Sequence, residues 1–199
     1  AITEPVNPAD QTRIDPVPAT LTFALDKFPG KNVDVDYTVT GWAKPGVDHT
    51  LASGHLTFAA QTEETTKVIN FGISHDLLDE PDENIYVQLT NPLEAMISGQ
   101  NGTASMTILD NDGPPTAKIL QFNPSSVSEP ANPIPPAPGT STPVTVTATL
   151  NGPSGKDVVV NLGVSGDVHQ DDYVLPLSTV TFLAEPPGGG VGETTKLIT

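Results

Sequence analysis

Between residues 75 and 89 the chain reads HDLLDEPDENIYVQL, with five carboxylates, Asp76, Asp79, Glu80, Asp82 and Glu83, in eight successive positions. Like charges this close repel one another unless a cation sits among them. A hard ion such as Ca²⁺ takes about six to eight oxygens at about 2.3–2.6 Å, and carboxylates and backbone carbonyls supply them. Further acids stand at strand ends or in connections, where loops gathered at one end of a β-sandwich would bring distant residues to one ion. The candidate calcium ligands are Glu4, Asp48, Asp76, Glu80, Glu83, Asp110 and Asp112. Glu83 shares strand parity with Ile85, Val87 and Leu89 and should point inward at the sandwich mouth. Asp82 has the opposite parity and should face water, and Asp79 reads as solvated surface.

Other chemistries fit less well. DNDG at 110–113 imitates the start of an EF-hand loop, but its twelfth position would be Gln121 and no helices flank it. His49, His55, His75 and His169 fall at no zinc-ligand spacing and read as surface or strand residues. A glycosidase needs two carboxyls about 5–9.5 Å apart, yet every acid here is better explained as a ligand. No nucleophile–base set is visible, and GTS at 139–141 is only a loop, so an enzyme is not expected.

The 24 acidic and 8 basic residues leave a formal charge of −16, which speaks against nucleic acid as a partner because phosphate binding needs clustered Lys and Arg. Cysteine is absent, which excludes disulfides and thiolate metal sites. No apolar run approaches the ~18–20 residues that cross a bilayer, and AITEPVNPAD lacks the basic end and apolar core of a signal peptide.

The elements that must hold these acids are short strands. VDVDYTV (33–39) alternates Val33, Val35, Tyr37 and Val39 against Asp34, Asp36 and Thr38. ATLTFAL (19–25), GHLTFAA (54–60), KVINFGI (67–73), NIYVQL (84–89) and ASMTIL (104–109) behave alike, each bounded by turn residues. With 21 Pro and 17 Gly as punctuation, this predicts an all-β antiparallel sandwich. The order then recurs: ITEP (2–5) as VSEP (127–130), GVDHTL (46–51) as QDDYVL (170–175), LTF (56–58) as VTF (180–182), and ETTKVI (64–69) as ETTKLI (193–198). Four matches in one order at nearly one spacing indicate a tandem array. The expected division is a first repeat over 1–112, a prolyl linker over 113–116 that sets the sandwiches end to end, and a second repeat over 117–199. The second copy carries an extra leading strand, AKILQF (117–122), and lacks the closing ones. The chain therefore reads as a fragment of a longer array, whose missing strands are either simply absent from this piece, supplied by a neighbouring protomer, or lacking altogether so that the second copy is unstable alone.

ITEP, GVDHT, the run GHLTFAAQTEETTKVINFGISHDLLDEPDENIYVQL and the closing ASMTILDND together resemble the Calx-β domain. That family has a first-strand Glu, a G-x-D-[YH] turn, an LTF strand, an acidic D-x-x-x-E-x-x-E loop and a final ILDxD. The resemblance implies tandem calcium-binding immunoglobulin-like sandwiches, as in sodium–calcium exchangers, an integrin subunit and large bacterial surface proteins. It adds the Leu78 carbonyl as a ligand, and Glu129 and Asp172 as the second copy's counterparts of Glu4 and Asp48. His75 and Asn111 stand where acidic residues can occur, which would lower ligand charge. The expected protein is a non-catalytic structural and adhesive module bound to Ca²⁺, extracellular or on a bacterial cell surface, not inserted in a membrane. Its partners would be neighbouring repeats, other protomers of a fibre, or a surface or glycan ligand. The alternatives are an exchanger-type calcium sensor and a carbohydrate-binding module, for which the lone Trp42 would more simply pack on the sandwich edge.

Overall fold

A computed structural model describes residues 1–4, 16–99, 101–128, 142–167, 172–185 and 191–199. Every named element among them is a strand: β1 (Ile2–Thr3), β2 (Val17–Ala24), β3 (Val33–Gly41), β4 (Gly54–Phe58), β5 (Thr66–Ile73), β6 (Glu83–Leu93), β7 (Thr103–Leu109), β8 (Ala117–Asn123), β9 (Thr145–Leu150), β10 (Val158–Asn161), β11 (Thr179–Phe182) and β12 (Thr195–Ile198). The chain divides into two compact units, the first Ala1–Leu77 with Pro81–Asn111, the second Leu78–Glu80 with Asp112–Thr199.

In the first unit a five-stranded sheet runs β1-β7-β6-β3-β4, and β2 pairs with β5 in a second sheet. Alternation decides which side of each strand is buried. Val33, Val35 and Tyr37 of β3 are buried, as are Leu56 and Phe58 of β4 and Ile85 and Val87 of β6. They meet Phe23 of β2 and Phe71 and Ile73 of β5 in one core, with the Phe23 and Tyr37 rings tilted at 43° and 5.1 Å apart. Each such side chain, taken fully out of water, contributes about 1.5–3 kcal/mol. One pairing departs from the antiparallel expectation: β1 lies parallel to β7, with Ile2 opposite Ile108 and Thr3 opposite Leu109. A second departure is Trp42, which is 74% exposed and does not pack on the sandwich edge.

The end of β5 breaks the period of two. Phe71, Gly72, Ile73, Ser74 and His75 are buried in succession, because a second segment lies along the strand away from β2. Thr50 N donates to the Gly72 carbonyl at 2.9 Å, Gly72 N to Thr50 Oγ1 at 2.8 Å, and Ser74 N to the Asp48 carbonyl at 2.8 Å. This short ladder sets the β3–β4 connection beside the start of the β5–β6 connection.

In the second unit the sheets are β12-β9-β8 and β10-β11. Ala148 and Leu150 of β9, Val180 and Phe182 of β11 and Ile198 of β12 form its core. β9 pairs antiparallel with β12 and β10 with β11, as β2 does with β5 and β3 with β4. The sequence pairs LTF/VTF and ETTKVI/ETTKLI fall on β4/β11 and β5/β12.

Candidate metal centre

The first acid is placed by a turn. Gly41 has φ +141°, and a Cβ there would stand 1.9 Å from the Asn84 carbonyl oxygen. That oxygen accepts from Trp42 N at 3.0 Å and Ala43 N at 3.4 Å, so only glycine lets the chain turn so closely over it. Lys44–Val47 then close a turn, Val47 N donating to the Lys44 carbonyl at 3.1 Å. Pro45 fits the second position, and Gly46, with φ +85°, fits the third, as a type II turn requires. Asp48 follows, buried, its N donating to the Lys44 carbonyl at 3.0 Å and its Oδ2 accepting from Lys44 N at 2.5 Å.

Because Asp48 is laddered to Ser74, it faces the acids of the 74–82 connection. Within the first unit a carboxylate oxygen of Asp48 and one of Asp76 lie within 4.8 Å of each other. At the effective dielectric suited to such sites, each pair of charges at this spacing costs about 3 kcal/mol or more. A cation among them reverses the sign. The donors are all hard oxygens, which suits Ca²⁺.

Also within the first unit, a ligand atom of Glu4 and one of His75 lie within 4.8 Å of each other. Glu4 N donates to the Leu109 carbonyl at 3.1 Å, and Asn111 Nδ2 donates to the Glu4 carbonyl at 2.7 Å. His75 is only 6% exposed, and its Nδ1 is buried with no hydrogen-bond partner among the described residues. A buried polar atom left so costs about 1–3 kcal/mol. His75 is therefore neither a surface nor an ordinary strand residue, contrary to its sequence reading. His49 is fully buried too, but both its nitrogens are used: Nδ1 accepts from Leu51 N at 3.2 Å, which leaves Nε2–H to donate to the Ala43 carbonyl at 3.3 Å.

Of the sequence candidates, the first unit thus brings Asp48 together with Asp76, while Glu80 and Asp112 belong to the second unit. Glu83, half-buried opposite Ile108 on β7, belongs to neither group, and nor does Asp110, whose N donates to Asp82 Oδ1 at 3.2 Å. Asp82 faces water as its parity indicated. Asp172 is exposed, and Glu129 lies outside the described residues, as does His169. Asp79 is not solvated surface: it is buried, and within the second unit its Oδ1 accepts from Lys156 Nζ at 2.5 Å. A cation already serves it, which separates it chemically from its acidic neighbours. His75 is the ligand candidate that spacing alone missed; its place beside Asp76, where an acid can occur, was the available signal.

Residues 17–112 match the Calx-beta domain family. No curated protein matches the chain. Among solved structures, the calcium binding domain CBD12 of CALX1.1 is 24% identical over 48% of this chain, with TM-score 0.42, and the chain covers 39% of its length. The apo form of the Calx CBD1 domain is 24% identical over 48% of this chain and 84% of its own, with TM-score 0.42. CBD12 from CALX1.2 is 18% identical over 92% of this chain and 68% of its own, with TM-score 0.43.

Proposed function

We propose that this chain is a non-catalytic calcium-binding module, a structural and adhesive repeat of an extracellular or cell-surface protein. The observation that carries the reading is the close approach of the Asp48 and Asp76 carboxylates, which lie inside the stretch matching the Calx-beta domain family. A bound Ca²⁺ would tie the β3–β4 connection to the β5–β6 connection and remove the repulsion among their acids. Because the ion binds the folded state alone, it stabilises by mass action, by about 2.7 kcal/mol at free calcium a hundredfold above Kd. The second unit is read as a further copy of the same domain, on the strength of its matching strand pairs. The array would extend through such copies, with calcium as the stiffening element.

The test is thermal melting in chelator and in millimolar calcium at constant ionic strength. Melting temperature should rise with calcium, and an Asp76→Asn, Glu80→Gln double variant should lose that rise. Identical wild-type melts in the two buffers would reject calcium binding. One observation favours a second reading, a glycan-binding module. Trp42 offers an exposed aromatic face in the loop that leads to Asp48. As the only tryptophan it reports on both readings: its fluorescence should respond to glycan in the second and to calcium alone in the first.

A further inference from the structure

We infer that the solvent face of β3, β6 and β7 is a binding site for a neutral oligosaccharide, with the Tyr86 ring as the surface on which a sugar stacks. The inference gives the glycan-binding reading a place, rests on that reading for the class of ligand, and does not depend on the calcium reading.

Strand parity and register build the face, all of it within the first unit. Ile85 and Val87 of β6 are buried in the core, so Tyr86 and Gln88 point to the opposite side. Opposite Tyr86 stand Thr40 on β3 and Ser105 on β7, and opposite Gln88 stand Thr38 and Thr103. A third row closes the face, where Thr107 Oγ1 donates to Asn84 Oδ1 at 2.9 Å. Beside Tyr86 the strands leave a groove of about 350 Å³, lined by Thr40, Gln88, Thr103 and Ser105 among others.

Two observations select the occupant. The first is charge: in a chain of net −16, none of these three rows carries a formal charge. The second is unused hydrogen-bonding capacity. Farther along the same side of β3, Asp34 and Asp36 are engaged by His55, Thr57 and Asn91. The side chains of Thr40, Tyr86, Gln88, Thr103 and Ser105, by contrast, make no hydrogen bond to another described residue. Hydroxyls and a carboxamide both donate and accept, which matches the hydroxyls of a sugar. Tyr86 is 49% exposed and offers an apolar ring to the sugar's C–H bonds. The three rows measure about 10 Å across the strands and about 14 Å along them. That falls far short of the roughly 800 Å² per partner that a stable protein interface covers, so the face suits a small ligand and not a second copy of the chain. An anionic glycan would meet the repulsive field of the whole molecule, so the sugar is neutral.

The experiment is calorimetric titration of the full chain with maltotetraose, cellotetraose, mannotetraose and N-acetylchitotetraose, each up to about 10 mM, with tetragalacturonate as the anionic counterpart. At least one neutral sugar should bind, and tetragalacturonate should not. With that sugar, ¹⁵N-labelled wild type should show its largest amide shifts at 38–40, 86–88 and 103–105, a readout that needs no variant to fold. Tyr86→Ala should weaken binding at least tenfold, and Tyr86→Phe, which keeps the ring, should weaken it less. The Asp76→Asn, Glu80→Gln double variant should bind the sugar as wild type does. Shifts confined to the Trp42 loop, with Tyr86→Ala binding as tightly as wild type, would overturn this inference and leave the glycan reading standing. Loss of sugar binding in the double variant would move the site to the acidic loops and overturn it too, as would tighter binding of tetragalacturonate than of any neutral sugar. No binding by any of these sugars would reject the glycan reading and this inference together.

Discussion

His55 sits on the solvent face of the first unit with its Nδ1 2.7 Å from Asp36 Oδ1 and its Nε2 3.3 Å from Asp34 Oδ1. The Asp36 hydrogen bond, above all, lifts its pKa over the ordinary 6.5. Asp36 is held below 3.8, first by the side-chain hydrogen bond from Asn91 and then by that from His55. A raised histidine stabilises the fold in full below pH 6.5, and the contribution is lost as pH rises through the folded value. A depressed carboxylate stabilises above 3.8 and is lost as pH falls through its folded value. Both effects are therefore present together between these limits, and at an exposed site both are small. Proton NMR should give a His55 midpoint above 6.5 that moves down in Asp36→Asn; a wild-type midpoint at or below 6.5 contradicts the pairing. Gly41 allows a stronger test. Alanine there meets the Asn84 carbonyl and an unfavourable φ at once, so Gly41→Ala should lower stability by about 3 kcal/mol or more, read from the urea midpoint. Little of this residue-scale chemistry shows in the sequence. Strand parity placed Asp82 outward, but the burial of Asp79 beside Lys156 and the orphaned nitrogen of His75 depend on residues far apart in the chain.

At the scale of elements, the strands were legible because period-two alternation and turn residues are local. VDVDYTV and GHLTF became β3 and β4 in the register that buries Val33, Val35 and Tyr37. The ladder between 48–50 and 72–74 was not legible, since two loop residues pair with a strand end through backbone and a threonine hydroxyl, which leave no periodic trace. The parallel β1–β7 pair was hidden likewise by the brevity of β1. The acids were legible as a group, yet which of them share an ion was set by that hidden ladder. It yields its own prediction. Thr50→Val keeps the shape of the side chain but removes the acceptor of Gly72 N–H, so stability should fall by about 1 kcal/mol. Amide exchange at Gly72 should quicken, and calcium should bind more weakly, because Asp48 and Asp76 are no longer held in register. Unchanged exchange at Gly72 would show that the ladder does not position the acids.

For the whole molecule the governing quantity is charge. A net −16 opposes any compact state through self-repulsion, and that repulsion is screened by simple salt. The screening length shrinks from about 30 Å at 0.01 M to about 8 Å at 0.15 M ionic strength, so melting temperature should climb over this range of NaCl with no divalent ion present. Calcium must be separated from that background. At about 0.15 M NaCl, adding about 1 mM CaCl₂ leaves the screening length nearly unchanged, so a further rise reports ions held at sites. Magnesium supplies the control: it has the same charge and gives the same ionic strength, but it needs near-octahedral geometry at about 2.0–2.1 Å and gives up its water reluctantly. Carboxylates contributed by two separate loops, Asp48 and Asp76, suit the larger ion with its flexible coordination. Calcium should therefore raise the melting temperature well beyond magnesium at equal concentration, and Asp76→Asn with Glu80→Gln should bring the two ions level. Equal shifts from both ions in the wild type would mean that a diffuse ion atmosphere, and not a built site, relieves the charge.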